Sequence, residues 1–137
     1  MNDTVVEPDV TVPEFAPYWE LLRAGSLAFP RCSACGRHHW YPMQRCPWCG
    51  GSDITWAPVC GQGVLYSWTV VRHAFAPDYA DKIPYVVALV EFPDAPGVRL
   101  VTEVLGEPDA PLRCGMQLAA VIEAPESGRP TVRFRVA

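Results

Sequence analysis

Four of the six cysteines in this chain fall in two pairs with the spacing of metal ligands: Cys32-Ser-Ala-Cys35 and Cys46-Pro-Trp-Cys49. Two residues between paired cysteines let a tight turn aim both sulfurs at one ion. A glycine follows each pair, Gly36 and Gly50, and permits the left-handed step that turns backbone N–H groups toward the thiolates. Two such knuckles complete a tetrahedral shell of four sulfurs, which suits zinc or a single iron, and zinc is the expected metal. Four protein ligands leave no position for water or substrate. The metal is therefore expected to hold a ribbon together rather than to activate a nucleophile. His38 and His39 lie between the knuckles and, with four cysteines already sufficient, read as polar residues of the ribbon surface. Trp40, Trp48 and Trp56 read as aromatic cover for a module too small to build its own core, with anchoring of a partner as the other role.

Elsewhere the residues carry no catalytic constellation. There is no glycine-flanked serine elbow, no phosphate-binding glycine loop and no His-Glu metalloprotease helix. Cys60 and Cys114 have no evident histidine partner and read as small hydrophobic thiols rather than nucleophiles. The stretch from Arg72 to Lys82 is the richest in chemistry. Arg72, His73, Tyr79 and Lys82 are read there as contacts to a partner or to a CoA-type ligand, with Arg72 or Lys82 near phosphate. The competing reading is a solvated surface loop. Arg129, Arg133 and Arg135 read as the solvated face of an edge strand.

The elements that must position these residues follow from pattern and punctuation. Residues 1–13 read as a loose tail. A short helix is predicted at 17–24, within a segment spanning 14–26. Pro17 suits its first turn, Gly25 its C-terminal cap, and Tyr18, Leu21 and Leu22 share one face. The zinc ribbon is assigned to 27–57. From 58 to 137, apolar runs alternate with glycine and proline turns. Strands are predicted at Val64–Arg72, Tyr85–Phe92, Val98–Leu105, Gln117–Glu123 and Thr131–Val136. Five short strands after a small metal module point to a mainly β protein ending in a five-stranded OB-fold barrel. The Arg72–Lys82 stretch then joins the first two barrel strands, where OB-folds place a ligand loop.

Composition narrows the function. The formal net charge is −4 and Lys82 is the only lysine. Zinc-bound thiolates make the holo chain more acidic still. No basic stripe is present to neutralise phosphates, so the acidic balance weighs against nucleic acid and against an anionic membrane surface. No apolar run approaches a membrane span and the first residues do not read as a signal peptide, so the chain is expected to be cytoplasmic. Paired cysteines in a reducing compartment point to metal rather than disulfides.

The order of motifs carries a resemblance. A short aromatic helix ends at Gly25. Arg31-Cys32-Ser-Ala-Cys35-Gly36, Tyr41-Pro42 and Cys46-Pro47-Trp48-Cys49-Gly50 follow. Then come Trp56, Gly61-Gln-Gly63-Val64-Leu65-Tyr66-Ser67, Pro84-Tyr85-Val86-Val87-Ala88 and Gly115-Met116. Over about residues 15–137 this resembles the family of rubredoxin-like zinc ribbons fused to an OB-fold, formerly a domain of unknown function. The resemblance implies a non-catalytic accessory subunit of a thiolase-fold enzyme acting on acyl-CoA thioesters. The enzyme would be a thiolase, an acyltransferase or an aldolase that shortens steroid side chains. It further implies a hetero-oligomer whose catalytic subunit is a separate chain, with a CoA thioester at a shared interface. The chain departs from the family pattern at Tyr41-Pro42-Met43 and at Cys60, neither of which touches the zinc ligands. The alternative from another class is a single-stranded nucleic-acid-binding module, a trade in which ribbons and OB-folds both occur.

Overall fold

The computed structural model describes residues 12–137. The tail predicted over 1–13 lies, as far as residue 11, outside the described residues. Its predicted end is late, because a 3-10 turn at Pro13–Phe15 already leads into helix α1, Ala16–Arg23. The helix buries Tyr18 and Leu22. It stops at Gly25, whose φ of 85° is open to glycine without strain. The Gly25 N–H donates to the Leu22 carbonyl at 2.9 Å and the Ser26 N–H to that of Leu21 at 2.8 Å. Both carbonyls would otherwise be left unpaired by the end of the helix.

Two strands frame the cysteine segment. β1 (Ala28–Cys32) and β2 (Ile54–Pro58) pair antiparallel, from Ala28 opposite Pro58 to Cys32 opposite Ile54. β1 is buried along most of its length, with only Arg31 facing solvent. Its Pro30 has no N–H to donate, but its carbonyl accepts from the His39 N–H at 3.1 Å.

The remaining five strands are β3 (Gln62–Val71), β4 (Tyr85–Glu91), β5 (Arg99–Val104), β6 (Gln117–Glu123) and β7 (Thr131–Val136). They close into a barrel in the order β3-β4-β5-β7-β6, with β3 and β6 completing the ring. All neighbours are antiparallel except β5 and β7, which run parallel and meet at one pair, Val104 and Phe134. This is the five-stranded OB-fold barrel predicted from the sequence. β3 is long because it serves two neighbours. Its first residues pair with β6 and the rest with β4, and a bulge between Leu65 and Ser67 bends it around the barrel. Gly63 sits where the wall is tightest, since a side chain there would collide with Val90 and press on Phe134.

Strand β4 alternates strictly, sending Val86, Ala88 and Val90 inward. Leu65, Leu100, Val104, Leu118 and Phe134 complete the interior. Closure leaves no edge in this sheet. The edge-strand reading of Arg133 and Arg135 is corrected accordingly: β7 lies between β5 and β6.

Ribbon, helix and barrel share one core. Phe29 of β1 is fully buried and its ring lies 4.9 Å from that of Phe92, which in turn lies 5.9 Å from Phe134. Burying a side chain of this size contributes about 2–3 kcal/mol. The Val59 N–H donates to the Leu27 carbonyl at 2.9 Å, stitching the segment before β1 to the one after β2. Arg23, in the last turn of α1, donates to the carbonyls of Pro125 and Gly128 at 3.1 and 2.8 Å and ties the helix to the β6–β7 turn.

Candidate functional site

The fold brings Cys32, Cys35, Cys46 and Cys49 together as the spacing predicts. Their sulfurs all lie within 4.8 Å of one another. Cys32 and Cys49 are 3.6 Å apart, and Cys35 and Cys46 are 3.7 Å apart. A zinc ion with Zn–S bonds of about 2.3 Å in a tetrahedron requires sulfurs about 3.8 Å apart, so the donor set and its dimensions fit that ion. Each knuckle closes by the same hydrogen bond: Gly36 N–H to the Cys32 carbonyl at 2.8 Å, and Gly50 N–H to that of Cys46 at 2.9 Å. Both glycines have φ of 76°.

Backbone donors point at two of the sulfurs and favour their ionisation, enough for Cys46 but not for Cys49, where against the Gly51 N–H the neighbouring thiols and desolvation push the pKa up to about 11. The Trp48 N–H reaches the Cys46 sulfur at 3.3 Å and the Gly51 N–H reaches that of Cys49 at 3.4 Å. Desolvation opposes ionisation of Cys46. The N–H groups of Cys49 and Trp48, with the neighbouring thiols, outweigh it and bring its pKa down to about 7. Gly51 also serves the centre in a way the sequence reading missed. A Cβ there would lie 3.3 Å from the Cys49 sulfur and 3.4 Å from that of Cys32. The doubled glycine at 50–51 was the available signal.

Around the centre, Trp40 and Trp56 are partly buried and packed against the core, as cover for the ribbon. Trp48 is 59% exposed. Its indole N–H donates to the His38 carbonyl at 3.3 Å, and the Arg37 guanidinium lies 4.9 Å from its ring centre. Tyr41 and Met43 are exposed on the stretch between the two knuckles. His39 is not the surface residue the sequence suggested. It is buried, neither ring nitrogen has a hydrogen-bond partner, and burial lowers its pKa. An unpaired buried imidazole is held neutral by the cost of desolvating its charge.

The Arg72–Lys82 stretch is divided by the fold. Arg72 turns away and pairs with Asp109 of the β5–β6 connection. His73 stacks edge-on against the exposed Phe75. Tyr79 and Lys82 instead join Tyr85 of β4, Glu103 of β5 and Arg133 of β7 around a cleft of about 400 Å³. Arg133 comes from the far end of the chain, and only closure of the barrel brings it there. Cys60 and Cys114 are exposed, against the small-hydrophobe reading. Each makes a local contact: the Cys60 thiol and N–H hold the Asp94 carboxyl below its usual range, and the Cys114 thiol donates to the Tyr66 carbonyl at 3.2 Å. Among the described residues no helix is long and apolar enough to cross a membrane.

Two family models match the chain: the ChsH2 rubredoxin-like zinc ribbon domain over residues 19–55, and the ChsH2 C-terminal OB-fold domain over residues 56–123. Among characterised sequences, a probable enoyl-CoA hydratase alpha subunit of Thermomonospora curvata is 36% identical over 99 residues. That match covers 72% of this chain and 30% of the relative. A DUF35 domain-containing scaffold protein of Methanocaldococcus jannaschii is 28% identical over 66% of this chain and 63% of its own length. The chain thus spans less than two thirds of either relative. Among solved structures, a chain of an Ltp2-ChsH2(DUF35) aldolase superposes with a TM-score of 0.82 and 30% identity, covering 95% of this chain and 98% of that one. A DUF35 protein of unknown function from Sulfolobus solfataricus superposes with a TM-score of 0.64 at 18% identity over 95% and 90% of the two chains, which speaks to the fold alone.

Proposed function

Since the chain belongs to the ChsH2 family, in which a rubredoxin-like zinc ribbon is joined to an OB-fold, we propose that it is the non-catalytic accessory subunit of a thiolase-fold enzyme acting on acyl-CoA thioesters. In this reading it stabilises the catalytic chain and shapes the path by which CoA enters. Of the three reaction classes considered, side-chain aldolase is favoured. The observation that carries the reading is the likeness, end to end, to a chain of the Ltp2-ChsH2(DUF35) aldolase. The description of the Methanocaldococcus relative as a scaffold and of the Thermomonospora relative as a hydratase subunit support partnership and acyl-CoA chemistry in turn.

The chemistry of the chain agrees. A metal held by four cysteines has no vacant coordination position for substrate. The exposed Trp48, Tyr41 and Met43 offer the aromatic and thioether surface that protein interfaces use. Four cysteines gathered as metal ligands and two more outside any disulfide suit a reducing compartment, in keeping with a cytoplasmic complex.

The test is recovery of the tagged protein from its native cells, with partners identified by mass spectrometry. The expected result is a thiolase-fold protein in stoichiometric amount, retained as salt is raised, because an apolar interface is insensitive to screening. Recovery of nucleic acid that dissociates steeply with salt, or of no protein partner, would overturn the reading in favour of the single-stranded nucleic-acid-binding alternative or an independent role.

A further inference from the structure

The four sulfurs of the metal centre are not equivalent. Cys32 and Cys46 are buried, whereas Cys35 and Cys49 are exposed. Each exposed sulfur has a buried one close by: Cys35 lies 3.7 Å from Cys46, and Cys49 lies 3.6 Å from Cys32. The two exposed sulfurs also differ from each other. The Gly51 N–H donates to the Cys49 sulfur at 3.4 Å, and among the described residues no backbone N–H donates in this way to Cys35. A hydrogen bond to a thiolate stabilises its charge and lowers its nucleophilicity. Coordination, in turn, keeps a cysteine as the thiolate at neutral pH. Cys60 and Cys114 are also exposed but are not ligands, and their thiols are engaged as donors. The Cys114 thiol donates to the Tyr66 carbonyl at 3.2 Å and the Cys60 thiol to the Asp94 carboxylate. The zinc-loaded chain therefore presents Cys35 as an exposed thiolate without a backbone donor, beside the buried thiolate of Cys46.

We propose that Cys35 and Cys46 form a redox clasp, opened by a hydroperoxide, whose oxidation frees the metal and with it the order of the ribbon. The Cys35 thiolate attacks the hydroxyl oxygen of the peroxide. An S–O bond forms, the O–O bond breaks, and an alkoxide or hydroxide leaves and takes a proton from water. Cys35 is then a sulfenic acid. The Cys46 thiolate attacks its sulfur, the S–S bond forms, the S–O bond breaks and hydroxide departs. The two sulfurs are oxidised, the peroxide is reduced and the metal stays divalent. Both sulfurs are withdrawn from coordination, and Cys32 and Cys49 alone do not make a structural zinc shell. A dithiol reverses the step by exchange. Tyr41 and Met43 lie between the two clasp residues and Trp48 just beyond them. Control of assembly through that exposed surface rests on the accessory-subunit reading above, and the clasp itself does not.

The experiment treats the zinc-loaded full chain with hydrogen peroxide beside a chromogenic chelator that leaves the untreated protein intact. Differential alkylation and mass spectrometry then locate the oxidised cysteines. Zinc release is expected in step with a first disulfide between Cys35 and Cys46, while Cys60 and Cys114 remain reduced. A dithiol with added zinc should restore the starting state. Cys35→His keeps four zinc ligands and removes the nucleophile, so it should slow release by at least about tenfold. Cys49→His should stay within about twofold of the unaltered chain, because Cys35 and Cys46 are still in place. If either variant fails to take up zinc, the order of oxidation in the unaltered chain decides the matter. Zinc retained while Cys60 or Cys114 is oxidised, a first disulfide between other cysteines, or equal release from both histidine variants would overturn the clasp. A chain that opens on oxidation but recovers no thiolase-fold partner keeps the clasp and loses the accessory-subunit reading.

Discussion

The ribbon and the barrel of this chain reach order by different means. The barrel encloses Leu65, Val86, Val90, Leu100, Leu118 and Phe134, and closes its ladder of hydrogen bonds on itself. It contains no metal ligand. The ribbon has two five-residue strands, and between them lies a long excursion from Cys32 to Ile54 whose side chains are largely exposed. Cys32 and Cys46 are buried at its metal centre while Cys35 and Cys49 are exposed. Such a loop has too little apolar surface to offset its own conformational entropy. Metal–sulfur bonds supply the difference. The contrast shows one chain using solvent exclusion where there is volume to enclose and coordination where there is not. Phe29 is the place where the two solutions meet.

Removing the metal should break this comparison most visibly. Chelation, or Cys46→Ser, is expected to abolish order over residues 27–57, since structural zinc contributes about 10–16 kcal/mol in isolated finger peptides. Hydrogen exchange should show protection lost in β1 and β2 and kept in the barrel strands. A zinc-free chain with an intact, stable ribbon would refute the assignment. Phe29→Ala should cost about 3–5 kcal/mol and weaken both regions together, because its ring packs on Phe92. Denaturant unfolding followed separately in ribbon and barrel measures whether the loss is shared. Gly63→Ala should cost about 1–3 kcal/mol, confined to the barrel, as Val90 is forced aside. Zinc affinity should not change.

The smallest effect is one of pH. Burial depresses the His39 pKa below its ordinary 6.5. The unfolded chain therefore takes up a proton that the folded chain refuses. The contribution is fully present above about pH 6.5 and is lost as the pH falls below it. Unfolding free energies of the zinc-loaded protein measured across this window should decline with acidity, and His39→Leu should flatten the decline.

How much of this was legible depended on the range of the interactions. The knuckles announce themselves because their geometry is local: two cysteines, two spacers and a glycine. Gly25 is legible for the same reason, whereas β4 is apolar almost throughout, from Tyr85 to Val90, and shows its alternation only in burial. β1 and β2 were hidden inside the cysteine segment, because β1 is buried on nearly every residue and carries a proline, so it shows no alternation. His39 reads as polar in sequence and is buried beside β1, where its N–H pairs with the Pro30 carbonyl, a contact the sequence does not announce. Arg133 could not be placed in one cleft with Lys82 without knowing that β7 closes against β5. Arg72 ends the predicted strand Val64–Arg72, and nothing in its local sequence points to Asp109, its partner from the β5–β6 connection.

Trp48 has one more consequence. Its indole is fixed on one side by the His38 carbonyl and on the other by the Arg37 guanidinium, while more than half of it faces outward. A free tryptophan on a surface samples several rotamers and must surrender them when something comes to rest on it. This one has surrendered them during folding. A surface that settles on the ribbon meets a ring already oriented, and the gain should appear as a slower departure rather than a faster arrival.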